Sequence, residues 1–144
     1  MTGPTIAFPS GDKAWTFEQA NALLRVVEGL FHRVDIEGLV NGFTADCRVR
    51  FAEQPEFQGR VALRQLFTAR LARQQDYRLK KTLHLLHGNK LGNSWTGSWR
   101  DRVTGKAHAG FGVEFWTMRD SQIAIWDAAF NVWDVDGPRQ SAVM

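Results

Sequence analysis

Residues 77–133 read YRLKKTLHLLHGNKLGNSWTGSWRDRVTGKAHAGFGVEFWTMRDSQIAIWDAAFNVW. Four runs within this stretch, 77–87, 90–100, 106–118 and 122–133, are rich in aromatic and aliphatic residues, and short polar segments part them. The separators carry turn chemistry. Gly88-Asn89 tolerates positive φ, 101–105 opens on Asp and closes on Gly, and 119–121 is Arg-Asp-Ser. The reading is a meander of four antiparallel strands. It holds five of the six tryptophans, Trp95, Trp99, Trp116, Trp126 and Trp133. A sheet this aromatic needs cover on both faces, from helices, a second chain or a bound small molecule.

Upstream of the meander the apolar period changes from two to helical. Thr16 with Gln19 three residues on forms a capping box, and Leu23, Val26, Val27, Leu30, Phe31 and Val34 follow at helical spacing. Asp35 caps a short helix, Ile36–Asn41, that ends at Gly42. Residues 45–51 alternate Cys47, Val49 and Phe51 against Arg48 and Arg50, as a strand does. A loop at 52–59 leads to a third helix, about 61–74, whose apolar side is Leu63, Leu66, Phe67, Ala69 and Leu71. Residues 1–14, with Pro4, Pro9, Gly3 and Gly11, read as an irregular arm, 15–135 as one domain, and 136–144 as a flexible tail. Helices followed by an antiparallel meander predict an α+β fold.

Composition narrows the class. At 144 residues, 44% hydrophobic and 23% charged, the chain suits one globular domain. No apolar run approaches the ~18–20 residues that span a bilayer, so no membrane is expected. Residues 1–13 lack the basic start and apolar centre of a signal peptide, and the single cysteine, Cys47, excludes an internal disulfide; both predict a cytoplasmic protein. The net charge is +3, with basic residues densest at Arg60, Arg64, Arg70, Arg73, Arg78, Lys80 and Lys81. No nucleic-acid motif accompanies them, and a solvated helix face plus a strand edge explains them, so no nucleic acid is expected as partner.

Strands disfavour acids, so the fifteen Asp and Glu are informative. Only Glu114 and Asp127 fall deep within the meander strands, which makes them the candidate acid–base groups. Each is otherwise an exposed strand residue or half of an ion pair. Lys81 is the second anomaly. Tyr77, Leu79, Lys81, Leu83 and Leu85 share a strand face, and an apolar stripe thus carries an ammonium at its middle. Pairing of Lys81 with Glu114 across the sheet would orient a ligand or simply satisfy two misplaced charges. In the last strand Ala124, Trp126, Ala128, Phe130 and Val132 make a wholly apolar face, while Ile125, Asp127, Ala129, Asn131 and Trp133 make a mixed one. Asn131 can donate and accept, either toward a ligand or as a strand-end hydrogen bonder. The four histidines lack metal spacing, and neither a phosphate-cradling loop nor a nucleophile elbow occurs, so neither metal nor cofactor is expected. Gly110 and Gly112 predict a bend or bulge.

The order helix, short helix, short strand, helix, meander resembles the nuclear transport factor 2-like superfamily, in particular its SnoaL-like branch and a group of small bacterial members. The segments that carry the resemblance are Asp46-Cys47-Arg48-Val49-Arg50, Glu56-Phe57-Gln58-Gly59-Arg60, Asp76-Tyr77-Arg78-Leu79-Lys80-Lys81, Gly88-Asn89, Gly112-Val113-Glu114-Phe115-Trp116 and Asn131. The resemblance implies a cone-shaped, bent antiparallel sheet wrapped over the N-terminal helices, a cystatin-like roll with a pocket between sheet and helices. It also implies a homodimer through the outer sheet face. Arg50, Lys81, Glu114 and Asn131 match the group's pattern, and Trp116 matches as a pocket wall; Tyr77 and Trp99 complete the expected ligand-binding set. The chain departs from ketosteroid-isomerase-type members, with Phe17 where those place an aromatic hydroxyl, and from the epoxide-hydrolase pattern of an arginine between two aspartates.

Three functions follow as alternatives. A cofactor-independent isomerase, cyclase, dehydratase or hydrolase would use Glu114 or Asp127 as acid–base, with Lys81, Arg50 or Asn131 stabilising an oxyanion. A non-catalytic binder of a hydrophobic or acidic metabolite would keep the pocket but lock Lys81 to Glu114. A protein-interaction module would have a filled cone and an exposed apolar patch.

Overall fold

A computed structural model describes residues 7–138. Helix α1 (Phe17–His32) starts where the capping box requires. The Thr16 hydroxyl accepts from the Gln19 amide at 3.1 Å, and the Gln19 side chain accepts from the Thr16 amide at 2.9 Å. Helix α2 (Ile36–Asn41) is capped by Asp35, which accepts from the Gly38 amide at 2.9 Å. Strand β1 (Phe43–Phe51) and the two-residue β2 (Phe57–Gln58) precede α3 (Arg60–Arg73). The meander is β3 (Gln74–His87), β4 (Lys90–Asp101), β5 (Ala107–Arg119) and β6 (Gln122–Asp134). The expected strand beginning at 77 starts three residues earlier, because Gln74 leaves α3 directly into extended backbone with φ −99° and ψ 107°.

The six strands make one sheet in the order β2-β1-β6-β5-β4-β3. Pairing is antiparallel through the meander, while β1 lies parallel to β6. No tight turn joins β1 to β6, so no hairpin dictates their relative direction. The sheet is strongly bent, and its register shifts lie at 75/78 and 83/85 between β3 and β4, at 117/118 between β5 and β6, and at 43/48 between β1 and β6. Bulges of this kind add curvature and twist. Gly110 and Gly112 are not among them, since β4 and β5 stay in register from 90/117 to 100/107. Their role is clearance. A Cβ on Gly112 would stand 2.4 Å from Trp95 Nε1, and one on Gly110 would stand 3.0 Å from the same indole ring, so Trp95 lies flat on bare backbone.

The helices fill the concave side. Ala20 and Leu24 of α1, Leu39 and Val40 of α2, and Leu63, Phe67 and Leu71 of α3 are buried against Cys47, Val49, Leu91, Trp116, Met118 and Trp126 of the sheet. The spacing of 63, 67 and 71 is one helical face. Val26 and Val34, read above as part of the α1 stripe, are about half exposed at 49% and 52%. α1 also caps the free edge of β3. Glu28 accepts from the Lys81 amide at 2.7 Å, Arg25 donates to the Lys81 carbonyl, and His32 Nε2 accepts from the Leu79 amide at 3.0 Å. An edge strand that would otherwise present unpaired backbone groups is thereby closed.

Part of the expected N-terminal arm is tied to the turn at 120–121. The Gly11 amide donates to Asp120 Oδ1 at 2.7 Å, and the Ser121 hydroxyl donates to the Pro9 carbonyl at 2.6 Å. Residues 1–6 of that arm, and residues 139–144 of the expected tail, lie outside the described residues. Among the described residues no helix is long and apolar enough to cross a membrane.

Candidate functional site

Between α1, α2, α3 and the concave face is a partly open cavity of about 300 Å³. Its walls are mostly apolar, with Val27, Phe31, Leu66 and Phe67 on the helix side and Trp95, Trp116 and Trp126 on the sheet side. Aromatic pairs hold those walls. Phe67 stacks on Trp126 at 5.9 Å, Phe51 meets Trp126 at 5.1 Å, and Trp95 meets Phe130 at 5.8 Å. Each such pair contributes roughly 0.5–1.5 kcal/mol beyond burial, which stiffens a shell that has no filled centre.

Lys81 and Glu114 meet at the cavity wall, with Nζ against Oε1; their side chains are 4% and 2% exposed. Lys81 is opposite Trp95 on β4, and Glu114 on β5 is opposite Asn93, so the lysine stem crosses the intervening strand diagonally. Trp126 Nε1 donates to the second carboxylate oxygen, Oε2, at 2.9 Å. Asn93 Oδ1 is a longer contact for Nζ, at 3.5 Å, and the Trp116 ring centroid is 5.2 Å from it. Both oxygens of Glu114 therefore have donors, and the backbone of Lys81 is gripped by α1. The pair is built to stay.

Tyr77 lines the same cavity and packs between Phe31 at 5.8 Å and Trp99 at 5.6 Å. Burial pushes its phenol well above the usual range, so it is a neutral hydroxyl at any ordinary pH. Trp99 is buried behind Tyr77, against His108 at 6.1 Å, and does not line the cavity.

The remaining expected site residues fall elsewhere. Glu114 is opposite Ala128, and Trp116 is opposite Trp126, so the wholly apolar face of β6 is the concave one. Asp127, opposite Phe115 and beside Arg50, and Asn131, opposite Phe111, are on the convex face. Cross-strand partners share a face, so the register that brings Glu114 inward sends Asp127, Asn131 and Arg50 outward. The pocket set expected from sequence thus divides. Lys81, Glu114, Tyr77 and Trp116 come together, and Arg50, Asp127 and Asn131 do not join them.

Arg70, expected on a solvated basic face, and Gln74, expected only as the end of the third helix, both line the cavity. That face does not exist as a unit. Arg60 donates to the Phe43 carbonyl at 3.1 Å, Arg64 pairs with Glu37 at 2.6 Å, and Arg73 pairs with Asp101 at 2.8 Å, while Arg70 turns inward. The available signal was spacing: Arg70 falls on the inner side of α3, three after Phe67 and four after Leu66. Among the described residues no three His, Cys, Asp or Glu side chains gather as a metal site.

A bent six-stranded sheet closed over three helices around a cavity is the α+β cone of the nuclear transport factor 2-like fold. Residues 13–135 match the family described as "Protein of unknown function (DUF1348)", and the chain belongs to that family. Among curated proteins none matches. Solved structures share the fold at low identity. A candidate polyketide cyclase from Xanthomonas campestris pv. campestris is similar at 18% identity, with 79% of this chain and 91% of that chain covered and a TM-score of 0.70. A candidate isomerase from Bacillus subtilis is similar at 15% identity, with coverage of 80% and 88% and a TM-score of 0.70. SalBIII, an epoxide hydrolase/cyclase-like enzyme of pyran ring formation in the polyether salinomycin, is similar at 12% identity, with coverage of 82% and 98% and a TM-score of 0.69.

Proposed function

We propose that the chain is a SnoaL-like small-molecule enzyme that works without metal or organic cofactor, in the isomerase, cyclase, dehydratase or hydrolase class. The observation that carries this reading is a hollow cone of about 300 Å³ with a carboxylate–ammonium pair on its wall. Side chains large enough to fill such a hollow would add packing, so keeping it open costs stability that a bound ligand offsets. The volume falls at the small end of ligand pockets, roughly 300–1,000 Å³.

Glu114 is the group to exchange a proton with the ligand, and Lys81 the group to balance negative charge that develops on a ligand oxygen. Trp126 holds the carboxylate in orientation through its indole N–H. The names of two structural neighbours, a cyclase and an isomerase, agree with chemistry of this type. A second reading, a non-catalytic metabolite binder, is favoured by one observation: both Glu114 oxygens are already engaged.

One experiment separates them. Trp95, Trp116 and Trp126 line the cavity, so quenching of intrinsic fluorescence reports occupancy. Hydroxy-, keto- and epoxy-compounds that quench are then incubated with the protein and followed by mass spectrometry. The enzyme reading expects product from the wild type and a loss of about 10²–10⁴-fold in Glu114→Gln with binding retained. Quenching without product in either protein overturns it in favour of the binder.

The convex sheet face supports a homodimer. Phe111, Val113 and Phe115 are 47%, 47% and 57% exposed and adjoin one another on alternate positions of β5, with Leu85 at 62% beside them. A second copy is the proposed cover, since a twofold contact of one sheet face is self-complementary. Sedimentation should give a dimer, and Phe115→Lys a monomer; a monomeric wild type refutes this. The buried, unpaired Cys47 supports a cytoplasmic home.

A further inference from the structure

We propose that the cone takes an anionic ligand, an apolar body bearing one carboxylate-type head group bound by Arg70 together with Gln74 and Tyr77. This rests on the small-molecule reading above and adds the substrate class.

Arg70 carries the argument. Arg70 lines the cavity, and its guanidinium is 4.8 Å from the Phe51 ring centroid and 5.1 Å from that of Phe130. Among the described residues it forms no salt bridge and donates no hydrogen bond, although a guanidinium has five N–H donors. Arg60, Arg64 and Arg73 of the same helix are each matched to an oxygen. Glu53, exposed on the loop after β1, acts on Arg70 only through space. Stacking on two rings accounts for where the guanidinium lies, but not for five donors without acceptors. Burial draws its pKa below the ordinary value, and the through-space pull of Tyr77 and Glu53 does not offset it.

Two neighbours are in the same condition. Gln74, one helical turn on, is 7% exposed, lines the cavity, and its Oε1 has no partner. The amide oxygen and nitrogen exchange by a half-turn, so Gln74 can present a donor instead. The Tyr77 hydroxyl makes no hydrogen bond among the described residues, and the phenol feels both Arg70 and Glu114. Lys81 is already paired with Glu114, which leaves Arg70 as the cavity-lining charge without an ion-pair partner among the described residues. A monoanion that accepts from a planar fork meets each of these demands, since guanidinium and carboxylate match bidentately. Its apolar body would then lie over Trp95 and Trp126, toward Lys81 and Glu114.

The test uses two probes of the same shape, 2-naphthoate and uncharged 2-naphthylmethanol, titrated calorimetrically into the full chain. Wild type is expected to bind the carboxylate at least roughly tenfold tighter, the scale of a charge-assisted hydrogen-bonded pair, and raised salt should narrow the gap. Arg70→Met should bind the alcohol as wild type does and lose the preference, while Arg70→Lys keeps part of it. Equal affinity for the two probes in wild type, or a preference that survives Arg70→Met, overturns the anion site while leaving the small-molecule reading intact. Binding of neither probe overturns both. Should Arg70→Met fail to fold, Arg70→Lys and the salt dependence of wild type decide alone.

Discussion

Replacing Lys81 with methionine leaves the buried Glu114 carboxylate facing an apolar side chain with only the Trp126 indole as donor. Removing one member of a buried ion pair costs about 3–5 kcal/mol, because the surviving charge has lost both water and partner. For a chain of 144 residues that is on the order of 10 °C in Tm. Glu114→Gln strands the ammonium in the same way, yet its amide oxygen still accepts from Trp126. The informative variant is the double one, Lys81→Met with Glu114→Gln. It removes both charges and keeps the indole acceptor, so it should recover at least about 2 kcal/mol relative to Lys81→Met alone, as expected where neutral residues replace a buried pair. The assay is guanidinium unfolding followed by tryptophan emission, with the single and double variants compared as a cycle. If Lys81→Met costs under about 1 kcal/mol, or the two substitutions add without coupling, then the pair is not the closed electrostatic unit described here.

Two further outcomes follow from other parts of the fold. Gly112→Ala places a Cβ 2.4 Å from Trp95 Nε1 and 2.8 Å from Phe130 Cβ, so it should cost about 1–3 kcal/mol by overpacking and shift the tryptophan emission; an unchanged Tm refutes the clearance role. Asp101 is held below the usual carboxylate range by the amides of Thr104 and Val103 and by Arg73. A depressed folded-state pKa gives stability that is present above the unfolded value, about 3.9, and lost as pH falls through the folded one. Wild type should therefore lose stability on acidification through this window more steeply than Asp101→Asn, measured as Tm against pH, and parallel curves would refute it.

Much of the architecture was legible because its signals are local. The Thr16–Gln19 box, the Asp35 cap and the polar turns each act within a few residues of where they stand in the sequence, and the structure has them in place. Lys81 and Glu114 were legible as anomalies, since a charge inside an apolar strand stripe demands a partner wherever it lies. Arg70 was not legible. A cation on a helix with other arginines reads as solvated until the helix is docked, and only docking shows which of them turns inward.

Asp127 and Asn131 mark the boundary between the two kinds of knowledge. Strand periodicity alone determined that Asp127 and Asn131 share one face of their strand and that Trp126, Ala128 and Phe130 share the other. It determined equally that Glu114 and Trp116 share a face of theirs. Which face of one strand joins which face of the next is a matter of register, and a slip of one residue inverts it. The pairing of Glu114 with Ala128, and the bulges that bend the sheet toward the helices, decided that Glu114 looks into the hollow and Asp127 away from it. The hollow itself is likewise tertiary. Side-chain volumes are written in the sequence, but whether they meet across about 300 Å³ depends on how far the bent sheet holds α1 and α3 away from its own floor.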